Sequence, residues 1–257
     1  ETLAGRMAVI PLRPFTWAER LRRPGWNPVA RLLRCRSAGE AAAAFRPVPA
    51  PRCRLDTEVP IGGFPEPALR LSAGARTAWH QEYARAYLER DVPAFVRPED
   101  VASFLRFVRL TAAMTGGILN LAHLARDASV SPDTAGRWMS VLASTFVAEP
   151  LPPYWRNVRK RLTKSPKVHF ADTGLALALL GITDFRQAAA LNLAGPLVES
   201  WVHHHLRVFL AALDSPGSLH FFRAVAGKEC DFVIEAGRTL IPLEVKTSET
   251  VGGGDGK

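Results

Sequence analysis

The sequence predicts a mixed α/β fold, and three observations carry that expectation. Apolar residues recur at helical spacing across 75–113 (Trp79, Tyr83, Tyr87; then Val101, Leu105, Val108). Residues 117–181 read as helix, short turn, helix and hairpin. Past residue 217 the pattern changes to three short segments of strand length. A chain of 257 residues, 47% of them hydrophobic, suits one or two domains or three small ones and excludes disorder throughout.

Taken in order, residues 1 to about 67 are rich in Pro and Arg, with an apolar segment Met7–Leu12 and a helical stretch around Glu19–Arg36. Gly62-Gly63-Phe64-Pro65 closes this part as a turn. The helical spacing of 75–113 divides into two helices near Asp91-Val92-Pro93. Ile118–Ala128 reads as one helix and Ser129-Val130-Ser131-Pro132 as a tight turn. Ser131 caps the next helix and Pro132 takes its first position. That helix runs to about Ser144, and the strand-like segments Phe146–Pro150 and Lys167–Ala171 follow, joined by a basic loop. The layout is that of a winged helix-turn-helix. A helix over Pro196–Leu213 stands behind Gly195, and Leu219–Arg223, Cys230–Glu235 and Leu240–Lys246 read as strands. The Gly-rich end from Gly252 reads as a flexible tail.

Composition excludes several classes. The longest apolar run, Leu175–Ile182, is far short of the ~20 residues of a membrane span. No signal peptide is legible at Glu1, and the three cysteines form no CxxC pair, which fits a reducing, cytoplasmic setting. Lysine and arginine number 33 against 24 acidic residues, a formal net charge of +9, which favours a polyanionic partner.

The strongest chemical signal is Asp231 on one strand and Glu244-Val245-Lys246 on the next. Alternate strand residues share a face, so Glu244 and Lys246 are expected to point the same way. Carboxylates converging from neighbouring strands suit a hard divalent cation such as Mg²⁺, and a lysine beside them can serve an attacking water. Glu199, on the helical sector of Val202, Leu206 and Leu210, supplies a third carboxylate. The expected site is therefore Glu199, Asp231 and Glu244 as metal ligands with Lys246 as catalytic lysine. The bland alternative is a helix-dipole carboxylate and a solvated strand face. A second constellation is basic: Arg156, Arg159, Lys160, Arg161, Lys164 and Lys167 lie in the expected wing with no intervening acid. With Arg137 on the recognition helix they suit non-specific DNA phosphate contacts, against the alternative of a protein-interaction module. His203-His204-His205 cannot converge on one ion, because successive helical residues point ~100° apart.

Together these residues resemble prokaryotic AAA-type ATPases that carry a C-terminal domain of unknown function of the PD-(D/E)XK nuclease type. The resemblance rests on Gly5-Arg6, Pro14-Phe15-Thr16-Trp17 with Glu19, Gly62-Gly63-Phe64-Pro65-Glu66 and Tyr87-Leu88-Glu89-Arg90-Asp91. It continues through Lys164-Ser165-Pro166-Lys167, Asp172-Thr173-Gly174-Leu175, Gly195 with Glu199, Cys230-Asp231-Phe232-Val233-Ile234 and Leu243-Glu244-Val245-Lys246. It implies the end of an ATPase core at 1–67, a helical lid or linker at 68–113, the winged helix at 114–181, a partial restriction-endonuclease-like domain at 182–250 and a tail at 251–257. It also implies a nucleotide-sensing role for Arg6 and leaves oligomerisation through the ATPase part open. No GxxxxGK[ST] loop is present. The expectation is thus a fragment lacking the Walker motifs, with ATP bound only by the full-length parent. Two functions follow: a DNA-associated part of an AAA-type ATP-binding protein with a Mg²⁺-dependent nuclease-like domain, or a non-catalytic DNA- or protein-binding adaptor with an inactive nuclease-like fold.

Overall fold

Side-chain caps decide where most helices begin. Thr16, Asn27, Asn120, Ser131, Asn157, Asp172 and Asp184 each accept the backbone N–H three residues further on. The computed structural model describes residues 11–23, 25–44, 53–87, 96–97, 100–213, 217–224 and 228–247. In chain order these form α1 (Trp17–Arg20), α2 (Pro28–Arg34), α3 (Ala38–Ala44), α4 (Leu55–Ile61), α5 (Pro65–Leu69), α6 (Ala73–Ala86), α7 (Val101–Ala113), α8 (Leu121–Asp127), α9 (Pro132–Ser144), β1 (Ala148–Leu151), α10 (Val158–Thr163), β2 (Lys167–Phe170), α11 (Thr173–Leu179), α12 (Phe185–Ala190), α13 (Ala194–Ala211), β3 (Ser218–Arg223), β4 (Glu229–Ala236) and β5 (Thr239–Leu243). Strands β1 and β2 pair antiparallel with Ala148 opposite Phe170, and β3-β4-β5 form an antiparallel meander. The fold is mixed helix and sheet, as the sequence predicts.

Several boundaries differ from the sequence expectation. The stretch around Glu19–Arg36 divides into α1 and α2, because Arg22 and Gly25 take positive φ (52° and 79°) between them. The helix expected from Ile118 starts at Leu121; Ile118 bridges instead to Lys167, and Asn120 caps the helix. The basic segment expected as a loop contains α10, started by its Asn157 cap. Strand β1 starts at Ala148, since Phe146 sits at φ 57°. The last strand stops at Leu243 rather than Lys246, because the Asp231 carboxylate accepts the Val245 N–H at 2.8 Å in place of a ladder bond. Arg6, Met7–Ile10, Asp91-Val92-Pro93 and the tail from residue 248 lie outside the described residues.

Two apolar clusters form the core. The larger joins Val59, Phe104, Phe107, Trp138, Leu142, Phe170 and Leu175 with Leu197 and Val198 of α13. The smaller joins Leu206, Phe209 and Leu210 of the same helix with Val29, Phe221, Phe232 and Ile234. Helix α13 belongs to both.

The joint between the first helices and the hairpin is closed by Asp172, 2% exposed. Its Oδ2 accepts the N–H groups of Gly63 (2.7 Å) and Phe64 (3.1 Å), and its Oδ1 that of Leu175 (2.8 Å). Gly62 has φ +67°, and a Cβ there would lie 2.4 Å from Asp172 Oδ1, so the turn needs glycine both for its backbone and for the approach. The Thr173 hydroxyl donates to Val59 O at 2.6 Å, and Phe15 N–H to Gly63 O at 2.7 Å. Asp172→Asn puts an amide NH₂ against one of three N–H donors. Because hydrogen bonds to a buried charge are worth ~1.5–3 kcal/mol each, urea titration should show a loss of about 3 kcal/mol.

Four histidines of β2 and α13 lie buried: His169, His203, His204 and His205. His169 and His203 stack with ring centroids 4.5 Å apart. His169 Nδ1 meets the Ser200 hydroxyl at 3.0 Å, and Ser200 meets Thr115 at 2.8 Å. His205 donates from Nδ1 to Trp201 O (2.7 Å) and accepts the Trp17 N–H at Nε2 (2.8 Å), which requires a neutral ring. Burial pushes all four pKa values down, that of His205 to about 3. A depressed folded-state value means that only the unfolded chain takes up these protons below pH ~6.5. The stability they confer is complete above that pH and is lost as pH falls, by up to ~1.4 kcal/mol per pH unit for each ring that stays neutral. Denaturant titrations at decreasing pH from 7.5 should trace that decline; a flat profile would show that the rings protonate in place.

Candidate functional site

Glu199 lies near the start of α13, one turn before Val202 and two before Leu206, both packed in the smaller core. Glu229 and Asp231 stand two residues apart on β4. All three carboxylates converge, and the point between them is filled by a side chain. Lys167, at the first position of β2, is 4% exposed and brings its Nζ to 2.9 Å from Glu229 Oε1, 3.2 Å from Glu199 Oε2 and 3.9 Å from Asp231 Oδ1. The same ammonium sits 5.7 Å from the centre of the Phe221 ring.

The charges respond to one another. Burial alone would lower the Lys167 pKa, but the Glu229 hydrogen bond and the charges of Glu199 and Glu229 hold it above the usual lysine value. Burial raises the Glu199 pKa, and the charge of Asp231 adds to this against the pull of Lys167. Asp231 is also raised by burial and by Glu244, against the Val245 hydrogen bond.

Neither Glu244 nor Lys246 pairs with Lys167, although the charge of Glu244 is felt at Asp231. They follow the end of β5, and Lys246 Nζ pairs with Glu244 Oε1 at 3.3 Å on the surface. The structure therefore brings together Glu199 and Asp231 of the expected set, and leaves Glu244 and Lys246 bound to each other. As a seat for Mg²⁺ this arrangement does not fit: the position a cation would share holds the Lys167 ammonium, and as they stand no three or more His, Cys, Asp or Glu side chains among the described residues could hold a metal ion. Sequence reasoning missed Glu229, although its i, i+2 spacing to Asp231 on a strand was a usable signal.

The basic constellation also divides. Lys167 is a correction: it faces inward, because all four residues of β2 are buried. Arg161 turns to β4, where its Nη2 donates to Glu235 Oε1 at 3.1 Å, and its guanidinium lies 4.7 Å from the Tyr154 ring centre. The hydrogen bond to Glu235 holds the Arg161 pKa above its usual value. Arg156, Arg159, Lys160 and Lys164 remain exposed on and around α10, with no carboxylate partner among the described residues. Lys160 Nζ lies 5.0 Å from the Trp155 ring centre. Arg137 is exposed on α9 and reaches Thr134 at 3.3 Å.

Residues 54–186 match a family described as a domain of unknown function (DUF8612), and residues 194–257 match a second (DUF4143), a domain associated with AAA-ATPase-like proteins. Uncharacterized protein Rv2008c of Mycobacterium tuberculosis and uncharacterized protein Mb2031c of Mycobacterium bovis are each 32% identical to the chain over 189 residues. The alignment covers 74% of this chain and 42% of each relative, so the chain spans less than half the length of these curated relatives. No solved structure matches.

Proposed function

The chain belongs to the DUF8612 family, and from that premise we propose that it is a DNA-associated, non-catalytic binding module of a larger AAA-type ATP-binding protein. The single observation that carries this reading is the exposed basic face at α10. Arg156, Arg159, Lys160 and Lys164 have no acidic partner among the described residues, while Arg161 anchors the helix to Glu235 of β4. A cation cluster held out from a fixed helix suits a phosphate backbone, with Trp155 beside it as a stacking surface. The order α8, turn, α9, β1, α10, β2, with β1 and β2 paired antiparallel, supports a winged-helix reading of the same region. Arg137 is the one long basic side chain on α9, which supports binding without base readout.

A second reading, a PD-(D/E)XK-type nuclease, is supported by one observation: Glu199 and Asp231 approach a common point from α13 and β4. On that reading Mg²⁺ would be held by Glu199, Asp231 and Glu244, with Lys246 as catalytic lysine, and the pairing of Lys246 with Glu244 at 3.3 Å while Lys167 takes the shared point stands against it. The oligomeric state and any nucleotide response belong to the ATPase part of the parent and follow the same family reading.

Binding of a random-sequence duplex, titrated against salt, tests the first reading. Each phosphate contact contributes ~0.9 to the slope of log K against log [salt]. Replacing Arg156, Arg159 and Lys160 together by Ala should flatten that slope by up to about 2.7, with little change among duplex sequences. Arg161→Ala should weaken binding through loss of helix placement as well as charge. An unchanged slope in the triple variant would turn the module toward protein partners. Mg²⁺- or Mn²⁺-dependent cutting of duplex, branched or single-stranded DNA that is abolished by Asp231→Asn would establish the second reading instead.

A further inference from the structure

The carboxylate cluster has an occupant of its own. Glu199, Glu229 and Asp231 belong to the C-terminal segment, whereas Lys167 comes from the hairpin before it. An ammonium carries three N–H donors and no acceptor. Two of its neighbours, Glu229 and Glu199, are within hydrogen-bond distance, and Asp231 lies at 3.9 Å. The lysine stem is packed from the backbone outwards: its side chain is 5% exposed, Ile118 bridges to its backbone, and Leu151 stands opposite it in the β1–β2 register. The placement of its neighbour Val168 is fixed by two backbone bonds, Gly116 N–H to Val168 O (2.8 Å) and Val168 N–H to Gly117 O (3.0 Å). The cation is thus tethered at the point the three carboxylates share, while the outer Glu229 oxygen, Oε2, lies 4.0 Å from Arg223 Nε.

We propose that the Lys167 ammonium is the resident cation of this carboxylate site, closing it to divalent metals in the native chain, and that removing the ammonium converts the site into one for a hard divalent cation. The inference rests on the non-catalytic reading above and supplies its physical basis. Oxygen donors from three carboxylates suit Mg²⁺ or Mn²⁺, and the Glu199 and Glu229 side chains have rotatable stems that can close on a smaller ion once the lysine is gone. Three carboxylates left around an empty point repel one another, so the altered site demands an ion. A binding ion then stabilises the fold in proportion to the logarithm of its concentration over Kd.

The test compares the wild-type chain with Lys167→Met, both freed of metal by chelator, using thermal melting and electron paramagnetic resonance with MnCl₂ as the probe. The wild type should show no rise in Tm and no bound Mn²⁺ across the millimolar range. Lys167→Met should melt lower than wild type without metal, regain part of the loss with Mn²⁺, and bind one ion at least about tenfold tighter than wild type, a gain of about 1.4 kcal/mol. Adding Glu199→Gln to that variant should abolish most of the response. Lys167→Arg, which keeps a cation, should stay silent toward Mn²⁺. Where Lys167→Met is unfolded alone, refolding with Mn²⁺ should restore it, and failure to fold with the ion supplied counts against the inference. A stoichiometric Mn²⁺ site in the wild type overturns it, as does a folded Lys167→Met that ignores the metal. Metal-dependent DNA cleavage by the wild type overturns the non-catalytic reading, whereas a metal-silent variant with an uncleaving wild type overturns this inference alone.

Discussion

One buried carboxylate fixes the path of the chain through its middle. Asp172 receives three backbone N–H groups, two from the turn that ends α4 and one from the first turn of α11. These donors would otherwise be orphaned in a dry place, since a helix start and a tight turn both leave N–H groups without ladder partners. Because β2 runs directly into Asp172, the same clamp sets the position of Lys167 five residues upstream. The closeness of α11 to its neighbours follows as well: a Cβ on Gly174 would lie 2.4 Å from His80 Nε2 and 3.0 Å from Pro60 O, so the residue after Thr173 has room only for hydrogen. The joint is built from small residues around a charge, and its tolerance for substitution is correspondingly low.

Charge is handled in the interior in two ways. The four histidines are kept neutral, and their rings pack as aromatic discs against one another and against Phe232 and Phe209. The carboxylates near Lys167 meet a cation supplied by the chain. Glu149 is treated likewise, held between Arg13 and Arg207, the latter at 3.2 Å. A buried pair of this kind gives little net stability against an apolar replacement, yet removing one partner costs several kcal/mol because a charge is left alone. Such groupings hold register between segments distant in sequence: 136 residues separate Arg13 from Glu149.

The start of α9 was legible in the sequence, because Ser131 is a cap residue whose role is local, whereas Asn120 and Asp172 went unread as caps and the start of α8 was placed too early. The three-strand order of the C-terminal segment was also legible from apolar alternation. The short helices α3, α4 and α5 were not readable: α4 contains Pro60, and α5 is only five residues long. The candidate site was half legible. Glu199 and Asp231 were found because a carboxylate among apolar neighbours is costly and therefore informative. The role of Lys167 was hidden by its company, since five basic residues precede it within twelve positions and a run of like charge reads as solvated surface. Only burial on both faces of β2 separates it from them. The end of β5 was equally illegible, because Leu243-Glu244-Val245-Lys246 alternates as a strand should, while a side chain from the neighbouring strand takes the hydrogen bond that would have continued it.

Helix α13 runs for 18 residues, about 27 Å at 1.5 Å per residue, with one end seated in each core. The seam between the two matched families, at residues 187–193, is therefore not a seam in packing: the first turns of α13, which fall in the second match, are buried among side chains of the first.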